Sequence, residues 1–445
     1  MNPELRRLLW LEATAQRLWL IPLALIGTSF VLGRAVPALV PGGAMLGFVA
    51  TTILWGASQA RNAVLDEVRE HTWDIQRMAA LSAWSMTWGK LLGATLMPWY
   101  AGAIWLGILF GWRGERDLGE FAITALALVL AALLAQALAL TSAIVTAHRV
   151  RDQRARLSIA LALLLLALVL PPTFALVVPP GSLLPVAAVT WFGHAVATTT
   201  FMLTLLALLA AWAVLGAYRA MCIELDIRTT PWAWLAFVLF LALLLAGLAP
   251  PPQPALIPAL CSAAALFAAL LAYVAGFAFA RDPVQVRRVL HALADGDARR
   301  ALEALPLAAS SLAIALAFGL IATLGGADAA LSNERADNLG GVALAFALFA
   351  LRDLALLAAF SYGRVTRRAE IATIVCIALL NRVVPAALDL LGLEGLATLI
   401  RPPLYDAPLA ACVILAVHAA SAVVLATIAW RRVMAPLSRP GGRKS

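Results

Sequence analysis

Phe121-Ala-Ile-Thr-Ala-Leu-Ala-Leu-Val-Leu-Ala-Ala-Leu-Leu-Ala-Gln-Ala-Leu-Ala-Leu-Thr-Ser-Ala-Ile-Val-Thr146 runs for 26 residues without a charge. Roughly 20 mostly apolar residues are enough for a helix to cross bilayer hydrocarbon. A helix is one of the few structures that satisfies all its backbone polar groups there. The stretch therefore predicts a membrane-spanning helix. Working outward, the runs 159–178 and 234–248 repeat its character. The whole chain of 445 residues is 63% hydrophobic and 13% charged. Soluble domains carry about 25% charged residues. The composition predicts an all-α polytopic membrane protein.

Twelve spans are expected, near 18–39, 43–60, 91–112, 121–146, 157–179, 196–217, 231–249, 255–280, 307–325, 340–362, 370–392 and 408–430. The first apolar run starts near Leu18 and has no small-residue cleavage site after it, so it reads as a retained helix. Charge supports the layout. With both termini cytosolic, 26 of the 33 Lys and Arg residues fall in inner segments and 5 in outer ones, and Arg352 and Arg382 lie within spans. That asymmetry is the positive-inside pattern. The net charge of +9 is thus a consequence of topology and does not call for a nucleic-acid partner. The expected location is the cytoplasmic (inner) membrane, with membrane lipids as surroundings.

Catalytic and metal chemistry find no motif. Cys222, Cys261, Cys376 and Cys412 are scattered, and the five His residues pair with no Cys, Asp or Glu at ligand spacing. Gly89-Lys90 is followed by Leu91, with no Gly at the upstream position that a phosphate-cradling loop requires. The chain should bind no cofactor and should not itself be an enzyme. If ATP drives it, another polypeptide hydrolyses the ATP.

One polar segment interrupts the apolar pattern near the start. It reads Leu65-Asp-Glu-Val-Arg-Glu-His-Thr-Trp-Asp-Ile-Gln-Arg-Met78 and leads into Ser85-Met-Thr-Trp-Gly-Lys-Leu-Leu-Gly93. Val68, Trp73, Ile75 and Met78 alternate with Glu67, Glu70, Asp74 and Arg77. Aromatic and Met side chains beside charges suit a docking surface better than a plain solvated linker. The run resembles the coupling segment of type-2 ABC exporter permeases: Glu, Arg-Glu, Thr, an apolar turn, then Gly-Lys-Leu. That resemblance covers about 30 residues of the segment and, more loosely, the first 110 of the chain. It implies a transmembrane subunit of an ATP-driven exporter with a separate dimeric P-loop ATPase as partner. It also implies that Glu67, Glu70, Thr72, Trp73, Asp74, Arg77, Met78 and Lys90 couple to that partner, Trp73 and Met78 filling an apolar cleft on it. Family permeases often have six spans and work as pairs, so twelve spans leave open whether one chain forms both halves or a second permease chain joins it.

A parallel six-plus-six repeat would explain the number. The first half, 1–220, holds an amphipathic opening helix and the coupling segment 67–90; the second, 221–445, holds the cytosolic segment 281–306. Leu9–Trp19 and Met221–Trp232 both read as short interfacial helices with a Glu, an Arg four or five residues later, and a Trp. A chance match of two short amphipathic stretches is the competing reading.

The other polar residues within spans are Arg352, Asp353, Asn381 and Arg382. Charges at such depth need partners. Asp353 and Arg382 are expected at similar depth in adjacent spans, which predicts a helix-pairing salt bridge; a polar transport path or proton relay is the alternative. Two other functions stay open beside the exporter: a twelve-span transporter driven by an ion gradient, and a non-transport membrane assembly factor.

Overall fold

The computed structural model describes residues 3–78, 81–112, 117–151, 188–227, 231–248, 256–278, 283–325, 339–361, 369–400 and 408–434. It is helical apart from one two-stranded hairpin, β1 (Ala188–Trp191) and β2 (His194–Ala197). Chain contacts divide it into two compact units.

The first unit begins with α1 (Pro3–Glu12) and α2 (Ala15–Ala35). A continuous helix α3 (Pro37–Arg69) leads to the short α4 (Trp73–Met78). Next come α5 (Ala83–Gly93), α6 (Leu96–Gly111), α7 (Leu118–Arg151) and, after the hairpin, α8 (Thr198–Glu224). Its core joins Ala60 and Val64 of α3 to Leu140 and Ile144 of α7 and to Ala217 and Met221 of α8. Small residues at these contacts let helices approach closely where lipid supplies no hydrophobic drive between them. The α5–α6 pair is bent by 50°.

The second unit holds α9 (Trp232–Leu248), α10 (Leu256–Ala278), the amphipathic pair α11 (Pro283–Ala294) and α12 (Ala298–Ala304), and α13 (Leu307–Gly325). It continues with α14 (Leu339–Ser361), α15 (Ala369–Leu390), α16 (Glu394–Ile400) and α17 (Pro408–Met434). Its central cluster is built on alanines: Ala268 and Ala269 of α10, Ala315 of α13, Ala347 and Ala350 of α14.

Among the described residues, eight helices are long and apolar enough to cross a membrane, or nine if the bent α5–α6 pair is one span. Trp232–Leu248 and Ala419–Ala429 are shorter apolar helices. The chain is thus an all-α, multi-pass membrane protein. The fifth expected span, 157–179, lies outside the described residues. Two local expectations are corrected. Leu9–Trp19 is not one helix, because α1 ends at Glu12 and α2 starts at Ala15. Met221–Glu224 is the last turn of the long helix α8 and not a separate interfacial helix, because its apolar face stays in the core with Met221 and Cys222 fully packed.

Among the described residues, three helices contain π-helical turns: Val49–Trp55 in α3, Gly89–Gly93 in α5 and Leu379–Val383 in α15. Such turns are rare and gather at functional positions, because the wider ring leaves backbone groups for outside partners. In α3 the carbonyl of Thr52 accepts from Gln136 Nε2 at 2.9 Å, and Trp99 donates to Gln136 Oε1 at 3.0 Å. A fully buried amide thus joins α3, α6 and α7, with both its nitrogen and its oxygen hydrogen-bonded.

Candidate functional site

The π turn Gly89–Gly93 places Lys90 with no exposed surface. Its ammonium is held on every side. Nζ binds a Glu67 carboxylate oxygen at short range. It lies 3.1 Å from Gln76 Oε1, 3.4 Å from the Ala63 carbonyl and 3.5 Å from Glu4 Oε1. It also sits 5.2 Å above the centre of the Trp73 ring, a cation–π arrangement. A buried ammonium is tolerated only with such compensation.

Two glycines make the site accessible to α1. A Cβ at Gly89 would fall 2.5 Å from Glu4 Cγ, and one at Gly93 would fall 2.8 Å from Leu8 Cβ. The helix face without side chains is therefore the groove in which α1 lies, and Glu4 is 4% exposed there. Arg7, one turn on, bridges Glu4 and Glu67 at 2.8 Å each. Burial pushes the Glu4 carboxyl up, but the hydrogen bond from Arg7 and the charges of Lys90 and Arg7 outweigh it and hold its pKa below the ordinary value. For Arg7 the hydrogen bond to Glu4 dominates over burial, and with help from Glu67 it holds the guanidinium above its ordinary value.

α4 is fixed to the same site by its inner face. Trp73 is 3% exposed, and its indole N–H donates to Glu224 Oε1 at 3.1 Å. Arg77 lies 3.6 Å from Glu224 and 3.4 Å from Asp226. Glu224 is the last residue of α8 and almost fully buried. The turn before α4 has His71 at φ 59°, a left-handed conformation that costs a residue with a side chain about 1–2 kcal/mol. It closes a cap in which Thr72 N–H donates to the Glu67 carbonyl at 2.9 Å. The cap reverses the chain and turns Trp73 inward.

The eight expected coupling residues therefore separate into two sets. Glu67, Trp73, Arg77 and Lys90 face the interior of the first unit, and Thr72 closes the turn by donating to the Glu67 carbonyl. Glu70, Asp74 and Met78 are exposed. The expectation that Trp73 reaches a partner is corrected: its ring is spent on Lys90 and Glu224. The exposed apolar residues of α4 are Ile75 at 66% and Met78 at 80%. Sequence reasoning missed Glu4, Arg7, Gln76 and Glu224 as members of the site. Gln76 and Arg7 carry no local pattern; Glu224 was visible as an acidic residue at a span end, without a sign of its partner.

The second polar cluster lies in α14. Arg352 Nε donates to Asp353 Oδ1 at 2.8 Å, and Arg352 donates to Asn381 Oδ1 of α15 at 2.9 Å. Tyr273 of α10 donates its hydroxyl to Asp353 at 2.6 Å. The guanidinium also stands 4.9 Å over the Phe349 ring. Arg352 and Asp353 are both buried, whereas Arg382 is exposed. The expected Asp353–Arg382 bridge is thus replaced by an Arg352–Asp353 pair. The adjacent arginine is nearer, and Asn381 in the π turn Leu379–Val383 accepts a hydrogen bond from it.

Among the described residues no group of three His, Cys, Asp or Glu residues could hold a metal ion. No protein-family model, curated protein or solved structure matches the chain.

Proposed function

We propose that the chain is the membrane-spanning subunit of an ATP-driven exporter of the cytoplasmic membrane, worked by a separate P-loop ATPase dimer. The observation that carries this reading is the two-faced construction of α4. Its outer face offers Asp74, Ile75 and Met78 to water, an apolar pair beside a carboxylate and close to Glu70. Its inner face is clamped by Trp73 and Arg77 to the end of α8, and through Lys90 to α1, α3 and α5. A push on the outer face moves four helix ends together. That is what a transmission element requires: a rigid body with a free docking side. The chain has no phosphate-cradling loop of its own, so the energy source belongs to the partner.

In this reading twelve spans, both termini inside, place α4 and the α11–α12 pair on the cytosolic side. Closure of the ATPase on ATP displaces α4, the spans of the unit tilt, and a mostly apolar path opens alternately. The substrate would be lipid-like or otherwise hydrophobic. A gradient-driven transporter is favoured by one observation, the Arg352–Asp353–Tyr273 cluster, since a buried carboxylate near a phenol can carry a proton. Its close pairing favours a structural role.

The test is affinity purification of the full chain from its own cell. Wild type should bring down a P-loop ATPase, identified by peptide mass spectrometry. An Ile75→Ala/Met78→Ala variant at equal membrane abundance should lose most of it. Transport by the chain alone in liposomes, driven by a proton or sodium gradient, would contradict the proposal.

A further inference from the structure

The second unit contains a crevice of about 640 Å³ where the first turns of α9 and α13 meet α12. Its size lies in the range of roughly 300–1,000 Å³ usual for small-molecule sites. The walls are almost wholly carbon: Leu235 of α9, Leu302 of α12, Leu305 beyond it, and Ile314 of α13. α9 is pinned to α13 beside it by a hydrogen bond from the Trp234 indole to Ser311, so the cleft is built into the fold. Trp232 lines the crevice and is 66% exposed. Exposed Trp at a span end marks the boundary between hydrocarbon and headgroups.

One arginine stands among the crevice-lining residues. It is Arg299, and its side chain is 85% exposed. Glu303 engages the Arg299 Nε at 3.1 Å, which leaves the terminal amino groups of the guanidinium for another acceptor. Arg300 follows on the same helix and is ion-paired with Asp297 at 3.1 Å. An apolar slot at the membrane boundary with an arginine at its lip matches one chemistry: a lipid whose acyl chain enters the slot and whose phosphate meets the arginine.

We infer that this crevice holds one anionic phospholipid, its acyl chain along Leu302 and Ile314 and its phosphate at Arg299. The inference concerns the second unit alone and holds whether or not an ATPase partners the chain.

The test is native mass spectrometry of the purified full chain. It is loaded with phosphatidylglycerol or phosphatidylcholine of identical acyl chains. Wild type should retain one phosphatidylglycerol with about fivefold higher occupancy than phosphatidylcholine, the factor that one cation near an anionic headgroup supplies. Arg299→Gln should bring the two lipids level without altering the melting temperature. Ala313→Trp fills the slot from an exposed position on its wall and should lower retention of both. Excess inorganic phosphate should displace neither lipid. Unchanged retention of phosphatidylglycerol in Arg299→Gln would overturn the inference, and so would equal retention by Ala313→Trp. Release by inorganic phosphate would show a free-anion site instead.

Discussion

The polar segment after α3 and the polar segment after α10 look alike in sequence and are built differently. In the first, α4 is tied by residues far along the chain: Trp73 to Glu224 across 151 positions, and Lys90 to Glu67 across 23 and to Glu4. In the second, the ion pairs Arg299–Glu303 and Arg300–Asp297 lie within a turn of one helix. Buried, multiply bonded charges make a segment move with its helices; exposed local pairs let it rest on a surface. In the proposed function that difference suits α4 to transmit force and α11–α12 to lie at an interface.

Removing the centre of the first segment should have the largest effect. Lys90→Ala leaves the Glu4 and Glu67 carboxylates facing each other beside Arg7, and breaking a buried pair in this way costs about 3–5 kcal/mol. Arg300→Ala in the second segment should cost about 0–1 kcal/mol, as exposed pairs do. Melting of the detergent-solubilised variants gives both values. Equal losses would erase the contrast.

Next comes the division of α4 into two faces. Trp73→Ala removes a buried indole, which commonly costs about 3–5 kcal/mol. Met78→Ala, at an exposed site, should leave melting unchanged and weaken ATPase capture. A Met78→Ala variant that melts early but keeps its partner would reverse the assignment of faces.

Acid should act on the first segment through Glu4. Its pKa is held down in the folded state, so its contribution to stability is present above the unfolded value, about pH 4.3, and is lost as pH falls through the folded value. The loss confined to acid pH should disappear in Glu4→Gln, which is less stable at neutral pH but flatter below. Melting curves at steps from about pH 3 to 7 read both slopes.

The smallest effect concerns the turn that aims α4. His71→Gly should stabilise by up to about 1 kcal/mol, because glycine adopts the left-handed conformation without strain. His71→Val should destabilise.

The spans were legible in the sequence because a 20-residue apolar run has few other uses. Among the described residues, eight of the expected spans fall on helices long and apolar enough to cross a membrane, 91–112 falls on the bent α5–α6 pair, and 231–249 and 408–430 fall on shorter apolar helices. The π turns were not legible, since nothing in Gly89–Gly93 or Leu379–Val383 distinguishes a five-residue ring from a four-residue one. Gly89-Lys90 was noticed as a motif, but the reason for its glycines, the close passage of α1, needs Glu4 and Leu8 in place. Trp73 and Met78 were equivalent in sequence, both apolar among charges. Only the fold sends one inward, because the cap at His71 fixes the phase of a six-residue helix. Asp353 was recognised as needing a partner, yet Tyr273 lies 80 positions earlier and gave no sign of it.

In the proposed exporter the outer face of α4 meets an ATPase. The most direct measurement places a photo-crosslinking residue at position 78 or at position 73 in the full chain and irradiates intact membranes. An adduct whose second component is a P-loop ATPase is expected at 78, and none at 73, where the site is filled by Lys90 and Glu224. A folded protein that gives no ATPase adduct from 78, 75 or 74 would contradict it.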